Sequence, residues 1–340
     1  MSVPLRWAIV GCGTIADVHV AAIRRNSATR LVAGVDPVAA ARERAGAAWG
    51  CPTFCSVDEM LRETEVDAAC VCAPPAVHRR VAGDLLAAGV HVLCEKPLAT
   101  TVADAEAMVA DARRHGRVLA VSAKFRFVED LLAARELIAA GAIGEPVCYE
   151  VTFCARVPMA GRWNVRPELS GGGVIMDNAP HALDVLAAVL DSEIVRVRAA
   201  FSRAAVAAAV EDTAELQFQT KRGTVGRVAL SWTYFTKDLD YLMVQGTEGG
   251  LRVTWTGGLV RRHGERDWTP FGVGYDKHAA FGRQLEAFVA LVRGDGNEAP
   301  FGDPVRAVAL IEGAYRSGRD GGWQPAPSTT DSVPRAAAAP

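Results

Sequence analysis

The chain has 340 residues, half of them apolar and 22% charged, with a formal net charge of −2. That is the balance of a globular protein with room for two domains, and the lack of a long basic tract argues against a nucleic-acid partner. No run is long and apolar enough to cross a membrane, and Met1–Arg6 leads into a strand-like run without the pattern of a secretory leader, so a cytoplasmic setting is expected.

The first third alternates short apolar runs with helical patterns. Leu5–Val10 reads as a strand, followed by a glycine turn and a helix through Arg25, and Leu31–Val35 and Val38–Ala48 repeat the pair. Ser56, three residues before Glu59, suits a capping box at a helix start. Val66–Cys72 is an apolar strand stopped by Pro74-Pro75, and Ala76–Ala88 is a helix ended by Gly89. Val90–Cys94 is a further strand, Thr101 and Asp104 open a helix that Gly116 stops, and Val118–Ser122 closes the series. Continuous apolar strands alternating with helices predict an α/β fold over residues 1–122, a doubly wound parallel sheet covered on both faces.

Residues 123–324 have another rhythm. A helix from Glu129 to Ala140 precedes an extended stretch, Val147–Arg156; the glycines Gly171–Gly173 then lead into an apolar helix reaching Leu190. Ile194–Phe201, Thr213–Gln219, Thr224–Tyr234, Tyr241–Gln245 and Leu251–Trp255 read as strands whose short connections favour an antiparallel sheet. Helices over His278–Arg293 and Pro304–Arg316 finish an α+β domain, and residues 325–340, rich in Pro, Ser, Thr and Ala, are expected to be disordered. The basic cluster Arg261, Arg262, His263 and Arg266 reads as a solvated turn. The eight cysteines form no C-x-x-C pair, so no metal is expected and they read as reduced thiols.

Gly11-Cys12-Gly13-Thr14-Ile15-Ala16 follows the first strand and opens the first helix. Gly11 permits the tight turn, Gly13 lets the backbone approach a pyrophosphate, and the free N–H groups at Thr14 and Ile15 face the phosphates. Asp36, ending the second strand, would accept hydrogen bonds from the adenosine ribose and repel a 2′-phosphate; it points to NAD rather than NADP.

Glu95-Lys96-Pro97 ends a strand on the cofactor side of the sheet, where ligands collect. Asp177 and His181, four apart in the helix after the glycines, share a face; His181 can accept a hydroxyl proton near neutrality, and a nearby carboxylate can orient its ring. The glycines would let the backbone approach ligand or cofactor, whereas Pro180 would kink a helix beginning near Gly173. Lys124, Arg126, Arg156, Arg162, Trp163, Asn164, Lys237, Asp238 and His278 fall in loops or strand ends and are candidate pocket residues, with Arg126 and Asn164 singled out for substrate.

The glycine turn, Ala73-Pro74-Pro75 with His78, Glu95-Lys96-Pro97, Phe125-Arg126-Phe127, and the glycines with Asp177 and His181 together resemble the glucose-fructose oxidoreductase/inositol dehydrogenase (Gfo/Idh/MocA) family. The resemblance implies a Rossmann domain, then a domain on a large open antiparallel sheet whose outer face makes a homodimer or homotetramer. It implies that Ala73, Pro74, His78 and Glu95 help hold the cofactor, that Lys96 and His181 meet the reacting hydroxyl or carbonyl with Asp177 assisting, and that the bond before Pro97 is cis. The substrate class it implies is a small polyhydroxylated molecule. Oxidation of a ring hydroxyl of a sugar, amino sugar or cyclitol is expected, such as C3 of an amino sugar in an aminoglycoside pathway. The alternatives are reduction of a keto-sugar in deoxysugar biosynthesis and a non-catalytic dinucleotide-binding regulator. Whether Lys96 or His181 is the proximal base stays open. Trp163-Asn164 stands where relatives often carry Trp-Arg, a departure in the substrate loop.

Overall fold

The protein is described by a computed structural model over residues 3–190, 192–203, 209–235 and 239–326. Its first sheet has six parallel strands, β1 (Leu5–Val10), β2 (Thr29–Val35), β3 (Thr53–Phe54), β4 (Ala68–Val71), β5 (His91–Glu95) and β6 (Leu119–Ser122), in the order β3-β2-β1-β4-β5-β6. The order reverses between β1 and β4, which opens a crevice at the strand carboxyl ends. The connections are α1 (Thr14–Arg25), α2 (Ala39–Trp49), α3 (Val57–Glu63), α4 (His78–Ala87) and α5 (Val102–Arg114). Alternate residues of β1 feed opposite faces: Trp7 and Ile9 pack with Ala16 and Ile23 of α1, Ala8 and Val10 with Leu85 of α4 and Met108 of α5. Burial on both faces is why these strands read as unbroken apolar runs. The two-residue β3 shows no periodicity and has no counterpart among the expected strands. At α3, Ser56 Oγ accepts from Glu59 N at 3.1 Å, while the Glu59 carboxylate reaches one residue further back than a capping box requires, to Cys55 N at 2.8 Å.

The second part runs α6 (Glu129–Ala139), β7 (Pro146–Cys154), α7 (Pro167–Ser170), α8 (Val174–Val189), β8 (Ile194–Ser202), β9 (Thr213–Thr220), β10 (Val225–Ser231), β11 (Asp240–Gly246), β12 (Gly249–Thr254), β13 (Gly257–Arg262), β14 (Thr269–Phe271), α9 (Lys277–Arg293), α10 (Arg306–Asp320) and β15 (Gln324–Pro325). The strands form a nine-stranded sheet, β14-β13-β12-β11-β7-β10-β9-β8-β15. Its pairings are antiparallel except β7 with β10, which run parallel. Strand β7 lies mid-sheet and meets β10 only after the excursion through α8, β8 and β9, so hairpin lengths carry no signal for that pair. One face packs against α6 and α8, with Leu131, Ala134, Ile175 and Val185 in the core. The other turns Gln217, Val225 and Arg227 outward.

Two expectations are corrected. Arg261 and Arg262 end a strand, β13, and Arg252 and Arg261 lay their guanidinium groups over Trp268 at 4.3 and 5.1 Å; His263 and Arg266 lie in the exposed connection to β14, as expected. Pro325 pairs in β15 and Ala326 N donates to Val195 O at 2.8 Å, so order runs into the segment expected to be disordered, whose residues 327–340 lie outside the described ones. The C-terminal helices also return to the first sheet: Phe281, Leu285 and Phe288 pack with Trp7 and Ile9, and Gln284 donates to Ser122 Oγ at 3.0 Å. Among the described residues no helix is long and apolar enough to cross a membrane, no side-chain cluster could hold a metal ion, and none of the eight cysteines is in a disulfide.

Candidate active site

The glycine turn is built around a close approach. Gly11 has φ +98°, and a Cβ there would sit 2.6 Å from Ala73 N and Cys72 C in the loop after β4. At Gly13 a Cβ would meet no atom within 4 Å, so this backbone borders open space. Gly13 is also the N-cap of α1 and supplies no side-chain cap, which leaves the N–H groups at Thr14 and Ile15 to a ligand. Asp36 accepts from Cys12 N at 2.8 Å and from Val38 N at 2.9 Å, which fixes its carboxylate beside the turn. Arg42 donates to Asp36 O at 2.7 Å, and Arg44 to Cys12 O. An uncapped helix end, an open glycine and a fixed carboxylate at the switch point together fit a dinucleotide.

His78 does not face this groove. It is fully buried, with Nδ1 3.0 Å from Pro97 O and Nε2 2.8 Å from Ala73 O. It ties the loop after β4 to the loop after β5 and so positions Ala73, Pro74 and Lys96.

Next to the turn lies a cleft of about 370 Å³. Ile15, Cys72, Ala73, Glu95, Lys96, Ser122 and Lys124 line it together with Arg162, Trp163, His181 and Phe281. The Lys96-Pro97 peptide is cis. Lys96 Nζ donates to Asp177 O at 2.8 Å and Asp177 Oδ1 at 3.0 Å, which leaves its third hydrogen for the cleft. Asp177 therefore serves Lys96, and no hydrogen bond joins it to His181. The shared helix face is real, but a cation from the other domain takes the carboxylate. Helix α8 continues through Pro180; the proline removes one N–H from the ladder at the very turn where Lys96 caps a carbonyl.

His181 is held by rings instead, edge-on to Phe125 at 5.3 Å and tilted to Phe153 at 6.1 Å, and its buried Nδ1 has no partner. Burial first, then the charges of Lys96, Lys124 and Lys277, hold its pKa well below the ordinary histidine value. It stands neutral at physiological pH. Lys124 is held down to about 8 by burial and by Lys96 and Lys277. Beneath them Glu95 Oε1 meets His19 Nε2 at 2.9 Å, and Cys70 Sγ lies 3.4 Å from His19 Nδ1. Burial opposes both charges; the contacts with Cys70 and then Glu95 outweigh it at His19, which rises to about 10, and the contact with His19 followed by the charge of Lys96 outweighs it at Glu95, which falls to about 2. The signal for His19 was present in the sequence: a polar ring on the apolar face of a helix, with Ala16, Val20 and Ile23.

At the triple glycine the close neighbours are groups of the chain itself. A Cβ at Gly171 would come 2.6 Å from the Thr100 side chain, at Gly172 2.0 Å from Tyr315 Oη, and at Gly173 1.9 Å from Glu211 O. The glycines let the N-terminus of α8 seat on buried Glu211, which accepts from Gly173 N and Ile175 N, both at 3.0 Å, and from Tyr315 Oη at 2.8 Å. Nothing in the sequence near Gly173 marks Glu211 as its cap.

Of the other candidates, Lys124, Arg162 and Trp163 line the cleft. Arg126 does not. Its Nε pairs with buried Asp184 at 3.2 Å, in a separate cavity shared with Arg306; burial raises Asp184 to about 6 against the pull of Arg126. Asn164 sits in the same short helical turn as Trp163 but is not among the cleft-lining residues. Arg156 and His278 are exposed, and Lys237 and Asp238 lie outside the described residues.

Residues 5–123 match the family described as an oxidoreductase family with an NAD-binding Rossmann fold, and residues 131–252 match the GFO/IDH/MocA C-terminal domain. The chain is 33% identical over 254 residues to the 1,5-anhydro-D-fructose reductase of Ensifer adhaerens, covering 72% of this chain and 74% of that protein. It is 28% identical over 330 residues to the inositol 2-dehydrogenase of Rhizobium meliloti, covering 92% and 96%. The crystal structure of GenD2 from gentamicin A biosynthesis, in complex with NAD, superposes with a TM-score of 0.85 at 25% identity, covering 96% of this chain and 98% of that one.

Proposed function

Because the chain belongs to the GFO/IDH/MocA oxidoreductase family, we propose that this cleft oxidises a ring hydroxyl of a sugar, amino sugar or cyclitol, with NAD as hydride acceptor. One observation carries the proposal: a fixed lysine and a histidine line one cleft with Ile15 of the glycine turn. Gly11, Gly13, Thr14, Ile15 and Asp36 would hold the dinucleotide, with Ala73, Pro74 and Glu95 nearer the ring. When bound, the nicotinamide supplies a hydride acceptor. His181 takes the hydroxyl proton, since its depressed pKa leaves it unprotonated. Lys96, oriented by both oxygens of Asp177, directs its remaining hydrogen at the developing oxyanion. In the reverse direction the roles invert, and a ketone is reduced; the likeness to a reductase supports that capacity. The likeness to GenD2 supports the finer reading, C3 of an amino sugar in an antibiotic pathway. Incubation with NAD and a panel of hexoses, cyclitols and amino sugars, read as NADH formation, tests the activity; NADH binding with no turnover on any of them would leave a binding protein.

Asp36 supports NAD over NADP. For Asp36→Ala the NAD-over-NADP preference in kcat/KM should fall by about 10- to 100-fold, the size of one charged contact, with Arg42 and Arg44 at hand for the 2′-phosphate. An unchanged ratio would remove Asp36 from cofactor choice. Eight cysteines without a disulfide support a cytoplasmic setting. The outward face of the second sheet, where Val225 is about half exposed, supports a homo-oligomer built on that sheet; light scattering should read a multiple of the 36.0 kDa chain mass, and a monomer mass would refute it.

A further inference from the structure

The charges of the cleft do not balance. Glu95 has His19 as its counter-ion, and Lys96 has Asp177. Lys124 and Arg162 line the same cleft, and among the described residues neither meets a carboxylate. Lys124 Nζ lies 5.3 Å from the Phe125 ring centre, and Arg162 Nη1 lies 3.8 Å from Met159 Sδ; the Glu95 and Asp177 carboxylates act on Lys124 only from beyond ion-pair distance, each with a partner of its own. Lys277, at the start of α9, adds a third positive charge whose field reaches Lys124 and His181. A largely desolvated ammonium without a counter-charge is costly unless a ligand supplies one.

We propose that the substrate is an anionic polyol, whose carboxylate or phosphate docks on Lys124 and Arg162 while its ring hydroxyl meets Lys96 and His181. The inference rests on the functional reading above and narrows its substrate class. An ammonium on a free amino sugar would be repelled by this cluster, so an amino sugar fits only when its nitrogen is masked or an anionic group outweighs it. Docking has a chemical consequence as well. The depressed basicity of His181 comes in part from the lysines, and an anion seated among them offsets their field. The substrate thereby raises the proton affinity of its own base.

Calorimetry on the full chain separates the outcomes. NADH is titrated first; then D-glucose, D-glucuronate and D-glucose 1-phosphate are titrated into the loaded protein. At least one anion should bind about tenfold or more tighter than glucose, and the better of the two identifies carboxylate or phosphate as the docking group. In Lys124→Gln the preference should shrink by about tenfold or more, with NADH affinity as the control for folding. Glucose binding as tightly as both anions, neither anion binding, or a preference kept in Lys124→Gln would each overturn the proposal. If NADH itself fails to bind, the dinucleotide reading falls separately, and the same sugars titrated into the free protein still decide the charge preference.

Discussion

Substituting Lys96 with Met should lower kcat by about 10²- to 10³-fold, the effect of losing one donor aimed at a developing oxyanion. The variant keeps the volume of the side chain but strands the Asp177 carboxylate, which is only about a quarter exposed, so some loss of stability is expected as well. NADH affinity separates the two effects. If the protein still binds NADH and turnover has collapsed, Lys96 acts on the reacting oxygen. Turnover within a few-fold of wild type in a protein that binds NADH normally would reduce Lys96 to an ion-pair residue bridging the two domains.

The second large effect is at His181. His181→Phe should lower kcat/KM by about 10²- to 10⁴-fold, the usual range for a general base. Stability should change little, because Nδ1 makes no hydrogen bond that the variant could lose and the pocket is already lined by Phe125 and Phe153. The pH dependence gives a sharper check. A base whose pKa is depressed is active above that pKa and is lost as pH falls through it. The acid limb of kcat/KM in the wild type should therefore lie below the ordinary histidine value, because burial and the three lysines disfavour the imidazolium. In His181→Phe that limb should vanish. An acid limb that persists in the variant would assign the proton to another group.

Much of the first domain was legible because its signals are local. A strand, a glycine turn and a helix in immediate succession announce a phosphate-binding turn, and strands buried on both faces announce themselves as unbroken apolar runs such as Ala68–Val71. The second domain was legible in its hairpins and not in the β7–β10 pair, which joins segments far apart in the chain. The site shows the same divide. Helical spacing correctly puts Asp177 and His181 on one face, but spacing within a helix cannot say which group from another element will claim the carboxylate; Lys96, just after β5, does. The need for glycine at Gly173 is legible, and what approaches it is not: the close neighbour is Glu211 of the chain itself. Arg126 looked like a substrate contact from its position after β6, yet Asp184, one turn beyond His181, turns it away. His78 and His19 illustrate a related limit, because a histidine in a motif can hold loops together from behind the site as readily as it can line it.

The central claim is that an ammonium and an imidazole from different domains act on one substrate oxygen. A double-mutant cycle on kcat/KM with Lys96→Met, His181→Phe and the double variant tests it most directly. Groups that act as a unit lose their effects together, so the double variant should be little worse than the poorer single variant. Losses that multiply across the two sites would show that Lys96 and His181 work independently, and would contradict the account.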